Sequence, residues 1–119
     1  KQPRIIFLYV HSGSLVDSVI DELKPLLSDG DIIVDGGNSY WGDSIIRANR
    51  MKEGPKKVHF VDCGTSGGIN AAKTGACFMC GGESTAVQRI EPILKQLCVP
   101  GGFCYVGQSG SGHFVKLVQ

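Results

Sequence analysis

The segment Asp31–Ser39, DIIVDGGNS, is the clearest indication of the fold class, because it joins a short run of branched apolar residues to a glycine turn. The run Ile32–Val34 has no polar interruption, which is typical of a β-strand covered on both faces. Strands of this kind belong to parallel sheets flanked by helices. The two glycines after the strand allow a tight turn and let a ligand approach the backbone closely.

Strand and helix patterns alternate along the rest of the chain. Further strands are predicted at Ile5–Val10, Val58–Val61, 76–80 (ACFMC) and 101–107 (GGFCYVG). Helices are predicted at Leu15–Leu27, where Pro25 disturbs the last turn, and at about Asp43–Lys52. A weak helical segment is predicted at 69–73. Two more helices are predicted, one after a Thr85/Gln88 capping box and one at the end of the chain. The connections look long enough for parallel crossovers, so we expect an α/β sheet with helices on its faces.

Composition excludes several classes of protein. The 119 residues carry a net charge of +1, with 42% hydrophobic and 19% charged residues, as in one small domain or a piece of a larger one. Mixed charges give no reason to expect nucleic acid or a membrane surface as a partner, and no apolar run approaches the ~18 residues of a membrane span. The N-terminus resembles neither a signal peptide nor a transit peptide. An odd number of cysteines, five, argues for a reducing cytoplasm rather than a disulfide framework.

Cys77 and Cys80 have the spacing of a zinc-ligand pair, C-x-x-C. No second pair of this kind completes a zinc site, and residues three apart on a strand point to opposite faces. We therefore expect ordinary buried thiols and no metal.

Three predicted strands end in glycine-rich polar turns, HSGS from His11, DGGNS from Asp35 and DCGTSGG from Asp62. The carboxyl ends of parallel strands meet at one edge of a sheet, where ligands gather. This shared edge is the strongest functional signal that the residues give by themselves.

The segment Gly64–Gly68, GTSGG, fits the G-x-S-x-G pattern of serine hydrolases. A hydrolase needs a helix directly after the serine and then an acid, whereas two glycines and a weak helix follow here. The backbone N–H groups of Ser66, Gly67 and Gly68 could instead surround a carboxylate or phosphate. A glycine turn without a ligand remains the alternative.

Two further polar residues have both an ordinary and a functional interpretation. Asn38 could cap its own turn or contact a ligand, and Ser39 or Asp43 could cap the next helix. Lys116 stands among apolar residues on a predicted helix, on one face with His113. It could be a surface charge, or a partly buried amine that is uncharged and acts as a base.

Four motifs in this order and spacing, GDIIVDGGNS, FVDCGTSGG, FMCGG and GSGHFVKLV, closely resemble the decarboxylating 6-phosphogluconate dehydrogenases. These enzymes belong to the wider β-hydroxyacid dehydrogenase family. The resemblance extends from Arg4 to Lys116 and implies a partial Rossmann-type doubly wound sheet, mostly parallel. It also implies that residues 1–119 are the second half of an NAD(P)-binding domain. The first βαβ unit would be missing, and the chain would end at the start of the interdomain helix.

The resemblance further implies oxidation and decarboxylation of 6-phosphogluconate in the pentose phosphate pathway, with NADP or NAD as the cofactor and a homo-oligomeric full-length enzyme. The implied sites are the cofactor loop Val10, His11 and Ser12, the shared contact Asn38, the sugar-acid loop Ser66, Gly67 and Gly68, and the catalytic lysine Lys116.

One position departs from the family pattern, which usually continues after VKLV with His-Asn, whereas Gln119 stands at the His position here. We expect the segment alone to be inactive, because the glycine fingerprint and the second domain would be absent. Two other functions remain open: a dehydrogenase for another acid, such as a hydroxyisobutyrate-like substrate, and a non-catalytic α/β binding module.

Overall fold

A computed structural model describes residues 3–119 as a five-stranded sheet with helices on both faces. The elements in chain order are β1 Ile5–Leu8, α1 Ser14–Leu23, β2 Ile32–Asp35, α2 Trp41–Glu53, β3 His59–Ser66, α3 Ala71–Thr74, β4 Ala76–Gly81, α4 Ser84–Leu97, β5 Cys98–Gly107 and α5 Ser111–Val118. The prediction of a mostly parallel α/β sheet is confirmed. No helix within residues 3–119 is long and apolar enough to cross a membrane.

The strands lie side by side in the order β1-β2-β3-β4-β5. The first three are mutually parallel, and β4 and β5 are parallel to each other. Between β3 and β4 the pairing is antiparallel, so the expectation that the connections are long enough for parallel crossovers is wrong there. The reason is length: only the nine residues 67–75 join the two strands, whereas a parallel crossover needs about a dozen or more.

Alternation along the strands divides the core between the two faces of the sheet. On one face, Ile32 and Val34 of β2 belong to a cluster that α4 covers with Val87, Ile90 and Leu94. On the other face, Ile33 belongs to a cluster with residues of α1 and α2, among them Val16, Ile20, Ala48 and Met51. All four residues of β2 are buried, as the uninterrupted apolar run predicts.

Arg4 and Asp31 fix the register of β1 against β2 at the amino ends of the strands. The Asp31 side chain is fully buried and accepts hydrogen bonds from the Arg4 amide at 2.8 Å and the Ser28 amide at 2.9 Å. The Arg4 guanidinium adds two more, at 3.1 and 2.8 Å. Burial by itself raises the pKa of Asp31, but these hydrogen bonds and the Arg4 charge outweigh it and leave the pKa below its ordinary value.

The predicted disturbance of the first helix by Pro25 is confirmed: α1 ends at Leu23 and continues as a 3₁₀ turn, Lys24–Leu26, because Pro25 cannot donate a helical hydrogen bond. The predicted starts of two other helices are wrong. Helix α2 begins at Trp41, and no side chain caps it. The predicted Thr85/Gln88 capping box is absent, since no side chain caps α4 at its N-cap residue, Glu83.

We expect Asp31→Asn to lower the free energy of unfolding by about 1–3 kcal/mol, because it leaves buried donors poorly paired. The folded pKa of Asp31 lies below its ordinary value of 3.8. The stabilisation that ionised Asp31 provides is therefore present above pH 3.8 and is lost as the pH falls from there through the folded pKa. Urea denaturation from pH 7 to pH 3 measures both effects. Asp21→Asn is the control, because Asp21 is exposed and pairs with Lys24 at the surface. Equal effects of the two variants would refute this role of Asp31.

Candidate active site

Three loops meet at the carboxyl edge of β1, β2 and β3, as predicted. The loops after β1 and β2, together with Thr65 of β3, line an open cleft of about 500 Å³ with Tyr9, Val10, His11, Ser12, Gly36, Gly37, Asn38 and Thr65. The other predicted site residues, Ser66, Gly67, Gly68 and Lys116, do not line this cleft. His11, Ser12 and Asn38 are exposed there. The parallel pairing of the three strands brings these residues together, although they range from Tyr9 to Thr65 in the sequence.

Asp35, at the end of β2, shapes the turn that presents Asn38. Its buried carboxylate accepts a hydrogen bond from the Gly37 amide at 3.1 Å and another from the Ser39 hydroxyl at 2.5 Å. The Ser39 hydroxyl therefore donates its hydrogen bond to Asp35 and does not cap α2, contrary to expectation. Among residues 3–119 the Asn38 side chain makes no hydrogen bond, so it does not cap its own turn and is available to a ligand.

Tyr9 forms one wall of the cleft. Its ring lies against Gly36, where an added Cβ would come within 2.5 Å of Tyr9 Cζ, so a larger residue at position 36 would displace the ring. Burial raises the pKa of Tyr9, and a hydrogen bond with the Thr65 side chain offsets this only in part. The phenol consequently stays protonated at neutral pH. A second opening, of about 430 Å³, lies beyond Tyr9 and Thr65 against α3.

Ser66 is the last residue of β3, and the turn predicted from the glycines begins at Gly67. Gly67 and Gly68 have φ of +141° and +64°, values that favour glycine, and both are exposed. The Ser66 hydroxyl accepts a hydrogen bond from Gln119 Nε2 at 2.7 Å. Within residues 3–119 no histidine bonds to Ser66, which agrees with rejecting a hydrolase.

Helix α5 lies directly on the backbone of β3 and β4, which brings Lys116 close to the Ser66 loop. A Cβ added to Gly64 would lie 2.6 Å from Lys116 Cβ and 2.8 Å from the Gly112 carbonyl oxygen. Gly112 in turn lies against the carbonyls of Asp62 and Met79. Lys116 is half-buried, with its Cβ above Gly64, two residues before Ser66 in β3.

Sequence reasoning missed Asp62, which anchors the start of α5. Its fully buried carboxylate accepts hydrogen bonds from the amides of Gly110, at 2.8 Å, and His113, at 3.0 Å. Burial raises the pKa of Asp62 above its ordinary value, and these two amides offset that only in part. An acidic residue directly after the predicted buried strand Val58–Val61, followed at once by an apolar cysteine, was the signal that could have identified it.

His113 and Lys116 were predicted to share one polar face, but the structure gives them different surroundings. The His113 side chain is buried, with Nδ1 3.0 Å from the hydroxyl of Ser44 on α2. Ser44 is fully buried as well, and sequence reasoning missed it. Lys116 lies against β3 instead.

The cysteines include an opposed pair. Cys63 and Cys80 face each other across β3 and β4 with their sulfurs 3.6 Å apart, and both are buried. The Cys63 contact and burial raise the pKa of the Cys80 thiol strongly. Cys77 is exposed, so the expectation of buried thiols fails there, although Cys77 and Cys80 do lie on opposite faces of β4. No group of three metal-ligating side chains occurs in the described part of the chain.

Comparison with known proteins identifies relatives over the whole chain. Residues 1–107 match the family model for the NAD binding domain of 6-phosphogluconate dehydrogenase. The chain is 46% identical to YqeC of Bacillus subtilis, covering 98% of this chain and 38% of that protein. It is 43% identical to the NAD(+)-dependent, decarboxylating 6-phosphogluconate dehydrogenase of the same organism, covering 100% of this chain and 26% of the relative.

A solved structure of Plasmodium falciparum 6-phosphogluconate dehydrogenase, studied with its cofactor NADP+ and its substrate 6-phosphogluconate, superposes with a TM-score of 0.92. It is 35% identical and covers 99% of this chain and 26% of that chain. The chain thus spans between about a quarter and two fifths of the length of these relatives.

We expect Gly64→Ala to destabilise the protein by about 1–3 kcal/mol, because the new methyl group would overlap Lys116 Cβ and push α5 away from β3. Chemical denaturation measures the loss, and hydrogen exchange at α5 amides locates it. Gly54→Ala is the matched control, since the nearest atom to its added Cβ lies at 3.5 Å and φ is −72°. Wild-type stability of Gly64→Ala would contradict the close contact.

Proposed function

Because the chain belongs to the family of 6-phosphogluconate dehydrogenase NAD-binding domains, we propose that it is part of an enzyme that oxidises and decarboxylates 6-phosphogluconate to ribulose 5-phosphate with NAD(P). The observation that carries the proposal is that the Val10–Ser12 and Gly36–Asn38 turns meet Thr65 of β3 in one cleft, while α5 lies on the same strand with Lys116 against Gly64. The relative of known structure supports it, since that enzyme binds both NADP+ and 6-phosphogluconate.

We further propose that residues 1–119 form the second half of the NAD(P)-binding domain, with α5 at the start of the interdomain helix. Two observations support this arrangement. The family match ends at Gly107, just before α5 begins, and β1 lies at an edge of the sheet where another strand could pair.

The cleft residues fit a dinucleotide. Gly36 and Gly37 line the cleft where the chain leaves β2, and Val10, His11 and Ser12 line it where the chain leaves β1. NAD or NADP, when bound, would supply the acceptor for a hydride from the substrate. The chain's own residues would orient it: the Val10–Ser12 loop along one side and Asn38 between cofactor and substrate. Relatives use either cofactor, so both belong to the proposal.

The sugar acid would lie against Ser66, Gly67 and Gly68. Their amides and the Ser66 hydroxyl provide donors without adding a positive charge, and the exposed turn leaves room for a substrate oxygen. In the structure the Ser66 hydroxyl accepts a hydrogen bond from Gln119, so its own hydrogen would remain available to donate to a substrate oxygen.

Lys116 would act twice. As a neutral amine it would take the proton from the 3-hydroxyl while the hydride leaves the same carbon, a contribution of roughly 10²–10⁴-fold. The resulting ammonium would then stabilise the negative charge that develops on the keto oxygen as the C–C bond breaks and CO₂ leaves. The electron pair of that bond remains on the enol, which later takes up a proton to give the ketopentose phosphate.

In the cell, the enzyme would serve the pentose phosphate pathway and gluconate utilization in the cytoplasm, as a homo-oligomer. The five free cysteines fit a reducing compartment.

We expect Lys116→Ala in the complete enzyme to lower kcat by about 10²–10⁴-fold with a much smaller change in KM, because the proton transfer is lost while the loops that bind the substrate remain. Steady-state kinetics with 6-phosphogluconate measure this. Lys95→Ala is the control, since Lys95 is exposed and pairs with Glu91 on α4. Near-normal turnover of Lys116→Ala would remove the lysine from this role.

The substrate is tested separately, by assaying the complete enzyme with 6-phosphogluconate and 3-hydroxyisobutyrate, each with NAD and NADP. We expect reduction of the cofactor and CO₂ release with 6-phosphogluconate. A preference for 3-hydroxyisobutyrate would reassign the substrate, and failure to bind either cofactor in calorimetry would indicate a non-catalytic module.

A further inference from the structure

The first turn of α5 makes buried polar contacts with two different elements. Asp62 of β3 holds the amides of Gly110 and His113, so one carboxylate fixes the start of the helix above the sheet. This satisfies two N–H groups that have no partner within the helix, and it places a negative charge at the positive end of the helix dipole. The start of α5 therefore has a fixed location on β3.

The Ser44–His113 contact constrains the same helix from the side. It joins α5 to α2 through two buried side chains, with His113 Nδ1 3.0 Å from Ser44 Oγ. The edge-on contact between the rings of Trp41 and Phe114, with centroids 5.6 Å apart, lies next to it. A helix fixed at its start and held laterally by one side chain cannot rotate freely about its axis.

A histidine at position 113 costs folding free energy that an apolar residue in a purely structural role would not cost. Among residues 3–119, Nε2 of His113 is buried and has no hydrogen-bond partner. An apolar side chain would fill this space without leaving a nitrogen unpaired. The imidazole is therefore explained by the bond that its other nitrogen makes to Ser44.

Lys116 follows His113 by three residues, within one helical turn, so a rotation of α5 at His113 moves Lys116 as well. There is little space between Lys116 and β3, because a methyl group added to Gly64 would overlap Lys116 Cβ. Building on the proposed function, we propose that the Ser44–His113 pair positions Lys116 for proton transfer, acting on a helix whose start Asp62 anchors. Ser44 and His113 are positioning residues, because neither is placed in contact with the substrate or the cofactor.

The test uses the complete enzyme and the variant Ser44→Ala, which deletes one hydroxyl group. We expect kcat to fall by about tenfold, since small displacements of a reacting group are costly, while KM stays within about twofold because the Ser66–Gly68 loop is untouched. Tyr105→Phe is the control: it deletes a hydroxyl that donates to the Gly82 carbonyl at 2.9 Å and should leave kcat unchanged.

Two substitutions of the histidine separate positioning from packing. His113→Asn places a polar atom near the location of Nδ1 and should keep kcat within about threefold of wild type, whereas His113→Gln reaches toward Nε2 and should behave like Ser44→Ala. In a Lys116→Ala background, Ser44→Ala should lower kcat no further, because its effect passes through the lysine.

The outcomes are distinguishable. Wild-type kcat in a folded Ser44→Ala enzyme, a loss confined to KM, equal kcat for His113→Asn and His113→Gln, or additive losses in the Lys116→Ala background would each overturn the positioning role while leaving the proposed function intact. A wild-type enzyme that oxidises no hydroxyacid would overturn both.

Discussion

The contact of α5 with the backbone of the sheet is the constraint on which the rest of the site depends. Gly64 and Gly112 have no side chains to hold helix and sheet apart, and the buried carboxylate of Asp62 accepts hydrogen bonds from the amides of Gly110 and His113 at the helix start. Backbones this close leave little freedom for sliding or rotation, since protein interiors are close-packed. A lysine on such a helix has a position set by the sheet rather than by a loop.

The reversal of direction at β4 explains how α5 comes to lie there. Because β4 runs antiparallel to β3 and β5 runs parallel to β4, β5 ends at the edge opposite the cleft. The chain then begins α5 beside Asp62 and returns along β3, passing Gly64 before Gln119 meets Ser66. A fully parallel sheet would have ended β5 at the cleft and started the helix on the wrong side. The short link between β3 and β4 thus determines from which direction the lysine approaches.

Much of this arrangement could be predicted from sequence, and the failures have physical causes. Apolar runs gave the strands, and the glycine turns gave the shared edge, because both depend on local patterns. The antiparallel pair was missed because the length of residues 67–75 was not weighed against the needs of a crossover. Ser39 and Thr85 were predicted as caps, but no side chain caps α2 or α4, and the Ser39 hydroxyl bonds to Asp35 instead. Asp62 and Ser44 escaped notice because their partners are distant in the chain.

Glycine at position 64 lowers the stability of β3, and the packing of α5 against this residue must offset that loss. Glycine inside a strand weakens it, since it adds chain entropy to the unfolded state and packs no side chain. Gly81, at the end of β4, is under the same constraint, because an added Cβ would lie 2.6 Å from the Gln108 carbonyl oxygen. The middle of the sheet therefore depends on the docked helix for part of its stability. A substitution that loosens α5 is expected to weaken β3 and β4 as well, because the same close contacts stabilise all three elements.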